Sequence, residues 1–258
     1  MEKINVLGIP VTPGGIGDVP CLLAAKPEGE SLLISFVNPQ ACALARQHGD
    51  YIRFLEMFDF IACDGIGMVK AARAVGLKSI QRESFDYTSL AGTVFQWAAQ
   101  SKQQLGLVGG KPGVADQAAT VLRKKYPDLE IVACYSGFGE DLIEARQFFV
   151  KNQTSLVICG MGAPLQEKFL LQIVAESWHG IGFTCGGFLD QLTAGEDYYP
   201  AWVDRFNIRF LYRLAREPRR LWRRYLVDYQ VFVRRYARLQ WNLFKSKLGM
   251  GQTLDQNE

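Results

Sequence analysis

Seven short apolar runs, at residues 4–11, 31–37, 58–63, 104–110, 130–136, 155–162 and 180–187, punctuate the first three-quarters of this chain. Several are apolar on both faces, as in SLVICGMG (155–162). That pattern predicts strands buried on both faces, which is the mark of a parallel sheet. Longer amphipathic stretches at 39–56, 66–76, 87–101, 113–126, 140–152 and 165–178 predict the helices that link them. The expectation is an α/β, Rossmann-like fold with a mostly parallel sheet and helices on both faces.

In such folds ligands collect beyond the carboxyl ends of the strands. Those ends read Asn38-Pro39, Asp64-Gly65, Gly109-Gly110-Lys111-Pro112, Gly137-Phe138-Gly139, Gly160-Met161-Gly162 and Gly186-Gly187. Asp64, beside a glycine turn, reads either as a general base in apolar surroundings or as an N-cap for the helix near 66. Gly109 to Gly113 opens a helix after a strand. It reads as a phosphate cradle or as a plain tight turn. Gln166 and Glu167 fall in a first helical turn behind Gly162 and Pro164. The amide suits a sugar or diphosphate, whereas Glu167 alone would merely complement the helix dipole. Asp190 accepts from a base or ribose, or caps a helix.

Charge divides the chain. Residues 1–203 hold 16 Lys/Arg against 21 Asp/Glu, and residues 204–247 hold 13 against 3. The expected organisation is an α/β catalytic domain over 1–203, a basic helical appendage over 204–247 and a disordered tail over 248–258. In the appendage Trp222, Tyr225, Tyr229, Phe232, Tyr236, Leu239 and Leu243 recur at helical spacing, and most arginines fall off that stripe. Such a helix either lies in a membrane interface or packs its aromatic face on the body. No run of about 20 apolar residues predicts a spanning helix, and the N-terminus does not read as a secretory signal. Six scattered cysteines without a CxxC pair, three of them inside apolar runs (Cys63, Cys134, Cys159), suggest reduced thiols. With His48 and His179 far apart, no zinc site is expected.

The strand-end motifs, taken in order, resemble the WecG/TagA/CpsF glycosyltransferases over roughly residues 30–225. They are Asn38, Asp64-Gly65-Ile66-Gly67, Gly109 to Gly113, Gly137-Phe138, Gly162 to Glu167, Gly186 to Asp190, Leu211-Tyr212-Arg213 and Glu217-Pro218 to Arg223. The resemblance implies an inverting, metal-independent enzyme that needs no cofactor. It would pass a sugar from a UDP-sugar to an undecaprenyl-diphosphate-linked acceptor in surface or wall polymer assembly. It implies Asp64 as the base, Asn38 and Gln166 near the donor sugar and diphosphate, and Phe138 and Asp190 around the uracil. It further implies that Arg213, Arg220 and Arg223 belong to an appendage that docks on an anionic membrane and closes over the site. The implied location is cytoplasmic, peripheral on the inner face of the membrane, with self-association possible and no nucleic acid partner. The sequence departs from the family pattern at Phe36, where threonine is usual, around Arg82 to Asp86, at Tyr198-Tyr199-Pro200 and at Arg209-Phe210. The donor sugar is therefore left open. A nucleotide-binding oxidoreductase would need G-x-G-x-x-G after the first strand, and Gly14-Gly15-Ile16-Gly17 does not supply it. A non-enzymatic membrane-surface or nucleic-acid-binding scaffold would explain the arginines but not the polar strand ends.

Overall fold

The structure, a computed structural model, describes residues 2–194, 212, 214, 215 and 218–248. Six parallel strands form the main sheet: β3 (Leu32–Val37), β4 (Phe60–Cys63), β5 (Leu105–Gly109), β6 (Ile131–Tyr135), β7 (Leu156–Gly160) and β8 (Ile181–Thr184). They lie in the order β4-β3-β8-β7-β5-β6, with every pairing parallel. The sequence expectation of a buried parallel sheet holds. All residues of β4, β5, β7 and β8 are buried, and both faces are covered.

The run at 4–11 is the exception. It is an antiparallel hairpin, β1 (Ile4–Val6) and β2 (Ile9–Val11), outside the main sheet. Leu7 (φ 57) and Gly8 (φ 82) both take positive φ, the two-residue turn that matches strand twist in hairpins. Asn5 Oδ1 accepts the Gly8 amide at 2.7 Å and holds that turn.

The helices divide between the faces. On one side α2 (Ala41–Gln47), α3 (Tyr51–Glu56), α4 (Ile66–Ala74), α7 (Asp141–Asn152) and α8 (Leu165–Ala175) share a core with Val37, Val108 and Val157. On the other, α1 (Val19–Ala24), α5 (Ala91–Gln100), α6 (Val114–Lys125) and α9 (Phe188–Thr193) pack with Ile34, Leu107 and Ile158. The expected 39–56 helix is two helices, because His48 turns to extended backbone (φ −126, ψ 101). The crossing from β5 to β6 uses α6 on one face, and the return from β6 through β7 to β8 uses α7 and α8 on the other. Neighbouring β5 and β7 thus send their helices to opposite faces. The space beyond their carboxyl ends, between the diverging helices, is the switch point at which doubly wound sheets form a ligand crevice.

After residue 217 the chain runs through α10 (Pro218–Arg223), a π-helical turn (Arg224–Asp228) and α11 (Tyr229–Lys247). The expected boundary at 203/204 lies outside the described residues, as does the expected tail over 248–258 apart from Leu248, which is the C-cap of α11. The aromatic stripe does face the body: Phe232 is buried in the core of the first face, and Tyr225, Tyr229, Tyr236, Leu239 and Leu243 are half-buried. Trp222 is the exposed exception. Phe232 stands over Gly67, where a Cβ would meet its ring at 3.3 Å and Pro39 at 3.1 Å. Arg235 Nη1 donates to the Leu7 carbonyl at 2.6 Å, tying α11 to the hairpin. We expect Phe232→Ala to weaken this docking by about 3 kcal/mol, the low end for a buried phenylalanine. The measurement is amide exchange, accelerated across 229–247 while the sheet amides keep their protection; unchanged exchange in α11 would contradict it.

Candidate active site

Register places the strand-end residues on one line. Val37 pairs with Cys63, so the next residues, Asn38 and Asp64, emerge side by side from β3 and β4, and Asp64 N donates to Val37 O at 2.8 Å. Gly109 pairs with Gly160, and Gly110 N donates to Gly160 O at 3.1 Å. Gly137 N donates to Gly110 O at 2.9 Å, and Cys185 N to Cys159 O at 2.8 Å. From β6 to β4 the edge therefore reads Phe138, Gly109-Gly110, Gly160 to Gly162, Gly186, Asn38, Asp64. That edge spans five strand spacings, about 24 Å at about 4.8 Å each.

Asp64 is not a cap: Gly65 holds the N-cap position of α4 and no side chain caps that helix. Its surroundings are charged rather than apolar as the sequence suggested. Arg82 Nη2 lies 3.5 Å from Asp64 Oδ1. Arg82 is itself held by Asp86 at 2.7 Å and Ser84 Oγ at 2.6 Å. The Asp64 side chain keeps 34% of its surface exposed, so a substrate hydroxyl can approach it. Arg82 and Asp86 entered the sequence reading only as a departure. Their signal was opposite charge four residues apart, just downstream of the Asp-Gly turn.

Asn38 Oδ1 accepts the Gln40 amide at 2.9 Å, which opens α2 and leaves the amide nitrogen as the free end. The turn after β5 uses positive φ at Gly109 (146), Gly110 (68) and Gly113 (85). A Cβ on Gly109 would come within 2.3 Å of Gly160 O, so only glycine lets these two strand ends touch. No side chain caps α6 behind that turn; Val114 N turns back to Lys111 O at 3.0 Å, which leaves the Ala115 and Asp116 amides of the first turn for an anion. Gly162 (φ 77) shapes the neighbouring turn before α8.

Phe138 is 61% exposed beyond β6, a ring free to stack on a base. Asp190 lies in the first turn of α9, half-buried, on the other side of the crevice. The two originate on strands three spacings apart, so strand order alone does not bring them together. α9 packs against α6, the helix that follows β5. Arg213 lies outside the described residues, as does the side chain of Arg220; Arg223 is exposed on α10.

Gln166 is placed differently from the expectation. It is 4% exposed, its Oε1 accepts Gly186 N at 3.0 Å and its Nε2 donates to Glu167 at 3.1 Å. Glu167 does more than complement a dipole. It is fully buried and accepts from Ser35 Oγ at 3.0 Å. Burial pushes its carboxyl above the ordinary range, while the bonds from Gln166 and Ser35 pull it back. A carboxyl raised in the folded state stabilises fully below its unfolded pKa, near 4.5, and that stability is lost as pH rises through the folded value. Glu167→Gln, neutral throughout, is therefore expected to lose less Tm than the parent between acid and neutral pH. Parallel Tm–pH curves would contradict this.

Cys42, Cys63 and Cys159 are buried, and all six thiols are unpaired. Burial pushes Cys63 to about 12 and Cys134 to about 11, so both stay protonated and unreactive at neutral pH.

A doubly wound parallel sheet with a carboxylate, an amide and glycine turns along one carboxyl edge is the architecture of an α/β enzyme that does its chemistry at that edge. The chain belongs to the glycosyl transferase WecG/TagA/CpsF family, whose family model matches residues 4–246, and it is a glycosyltransferase. It is 34% identical over 206 residues to the UDP-Gal:alpha-D-GlcNAc-diphosphoundecaprenol beta-1,4-galactosyltransferase of Shigella boydii, covering 79% of this chain and 85% of that one. It is 28% identical over 196 residues to the N-acetylglucosaminyldiphosphoundecaprenol N-acetyl-beta-D-mannosaminyltransferase of Bacillus subtilis (strain 168), covering 75% of each. A Staphylococcus aureus (strain MW2) enzyme of that same name is 23% identical over 227 residues, covering 86% of each.

Proposed function

We propose that the protein is an inverting glycosyltransferase that moves a sugar from a UDP-sugar to a hydroxyl of a polyprenyl-diphosphate-linked sugar, without a metal. The observation that carries this reading is the alignment of Phe138, the two glycine turns, Asn38 and Asp64 along one sheet edge. An extended nucleotide sugar fits that line with its base toward Phe138, its diphosphate on the turns before α6 and α8, and its sugar toward Asn38. Asp190, from α9, accepts from the base or the ribose. Asp64 takes the proton from the acceptor hydroxyl as that oxygen attacks the anomeric carbon. The bond from that carbon to the UDP oxygen breaks, and UDP leaves with its electron pair. Attack from the face opposite the leaving group inverts the configuration.

The departing diphosphate gathers negative charge. Open helix amides and arginines offset it in this reading. Transfer is expected to persist in EDTA; loss of turnover restored by Mg²⁺ or Mn²⁺ would refute the metal-free reaction.

The acceptor class follows from the relatives, all three of which are named for a sugar-diphosphoundecaprenol. Their transferred sugars differ, galactose in one and N-acetylmannosamine in the others, so the donor sugar is a matter for assay. No helix among the described residues is long and apolar enough to cross a membrane. Leu226, Val233, Trp241, Phe244 and Leu248 are exposed on or beside α11, close to exposed arginines and lysines. That surface suits peripheral contact with an anionic bilayer where the lipid acceptor resides. The deciding experiment incubates the protein with a panel of UDP-sugars and a synthetic polyprenyl-diphosphate GlcNAc, with products read by mass spectrometry. No product with any UDP-sugar would overturn the proposal.

A further inference from the structure

Beneath the ends of β3 and β8 lies a chain of buried polar side chains. Thr184 Oγ1 donates to Ser35 Oγ at 2.9 Å, and Ser35 Oγ donates to Glu167 Oε1 at 3.0 Å. Gln166 Nε2 donates to that same Glu167 oxygen at 3.1 Å, and Gln166 Oε1 accepts the Gly186 amide at 3.0 Å. A carboxamide donates from one end only and accepts at the other, so what it faces decides its orientation. The Ser35 oxygen already accepts from Thr184 and turns its own hydrogen on Glu167. Glu167 is thus the acceptor at which two donors converge. With an acceptor there, the Gln166 nitrogen must face residue 167, and its oxygen must face Gly186. A flipped amide would set its NH₂ group against the Gly186 N–H and leave a buried donor unpaired.

We propose that Glu167 is a positioning residue: its oxygen fixes the direction of the Gln166 carboxamide and, through it, the backbone of the Gly186 turn. Gly186 sits at φ +56, and a Cβ on Gly160 would come within 3.0 Å of Gly186 O, so the turns after β7 and β8 touch. Any drift of Gly186 is therefore felt by the Gly160 to Gly162 turn. The consequence for catalysis rests on the reading of these turns as the donor site. Glu167 itself is fully buried and meets no substrate. What the relay needs is an acceptor and not a charge, so a neutral amide oxygen serves as well. Burial, which favours the uncharged carboxyl, is consistent with this.

The test uses the full chain with E167M, E167Q, Q166M and the E167M/Q166M double variant. Three readouts are taken: amide exchange at Gly186 by NMR, donor KM and kcat, and Tm. E167M should speed Gly186 exchange about tenfold, the scale of one lost hydrogen bond. It should raise donor KM by a similar factor with kcat little changed. E167Q should restore both to within about twofold of the parent. The double variant should be no worse at Gly186 than either single, since both act on one contact. Parental Gly186 exchange in E167M, or E167Q as impaired as E167M, would overturn the relay. Additive effects in the double variant would do the same. Faster Gly186 exchange with unchanged donor KM upholds the relay and removes the donor-site reading instead. If E167M does not fold, Q166M still tests the link, because it leaves the Ser35–Glu167 bond intact and must give the same tenfold change.

Discussion

Asp64→Ala is expected to lower sugar transfer by about 10²–10⁴-fold, the span a positioned proton acceptor contributes, while UDP still binds. The side chain stands at the end of β4, partly exposed, and caps no helix. Its removal leaves the glycine turns and Phe138 untouched, because those belong to β5, β6 and β7. The nearest consequence is for Arg82, 3.5 Å away, which retains Asp86 and Ser84 as partners. The variant should therefore fold, keep its Tm and titrate with UDP in a calorimeter as the parent does. Single-turnover transfer is the deciding measurement. Parental rates would remove Asp64 from the base role, and loss of UDP binding would make it a donor ligand instead.

Gly109→Ala should do comparable damage by another route. At φ +146 an alanine is strained by about 1–3 kcal/mol. Its methyl group would also land 2.3 Å from Gly160 O, a backbone atom inside a parallel ladder that cannot swing aside. Overpacking of that kind costs roughly another 1–3 kcal/mol. Relief requires prising apart β5 and β7, and that same movement widens the crevice. We expect a lower Tm together with lost UDP affinity. A folded variant with parental affinity would show that the crevice does not hold the diphosphate. Gly113→Ala, where a Cβ meets only the tip of Gln117 at 4.0 Å, keeps the strain without the clash and should be much milder.

The parallel sheet and its edge were legible because they are written in the two signals a sequence carries well: apolar runs and the punctuation that ends them. Asn38, Asp64, Gly109, Gly162 and Asp190 all stand at or just past the end of such a run, which is why they could be picked out. The features that escaped depend on partners distant in sequence. The run at 4–11 looks like one strand until Leu7 and Gly8 fold it back, and a leucine at positive φ gives no compositional warning. Glu167 reads as a surface acid at a helix start, and only Ser35, 132 residues away, reveals it as a buried one. The aromatic stripe of α11 was visible, but periodicity cannot say what a face meets. Gly67 and Pro39 answer that, and the outward Trp241 and Phe244 form a second apolar surface that the stripe concealed.

The bond between Arg235 and Leu7 has a consequence for biosynthesis. Its partners are 228 residues apart, so a ribosome must deliver nearly the whole chain before the hairpin meets the helix that rests on it. Until then Gly8, against which the Arg235 guanidinium packs, stands uncovered, and Pro39 and Gly67 are wet. A nascent chain stalled short of Phe232 would thus hold a finished sheet with one flank bare, a target for chaperones that the completed protein no longer presents.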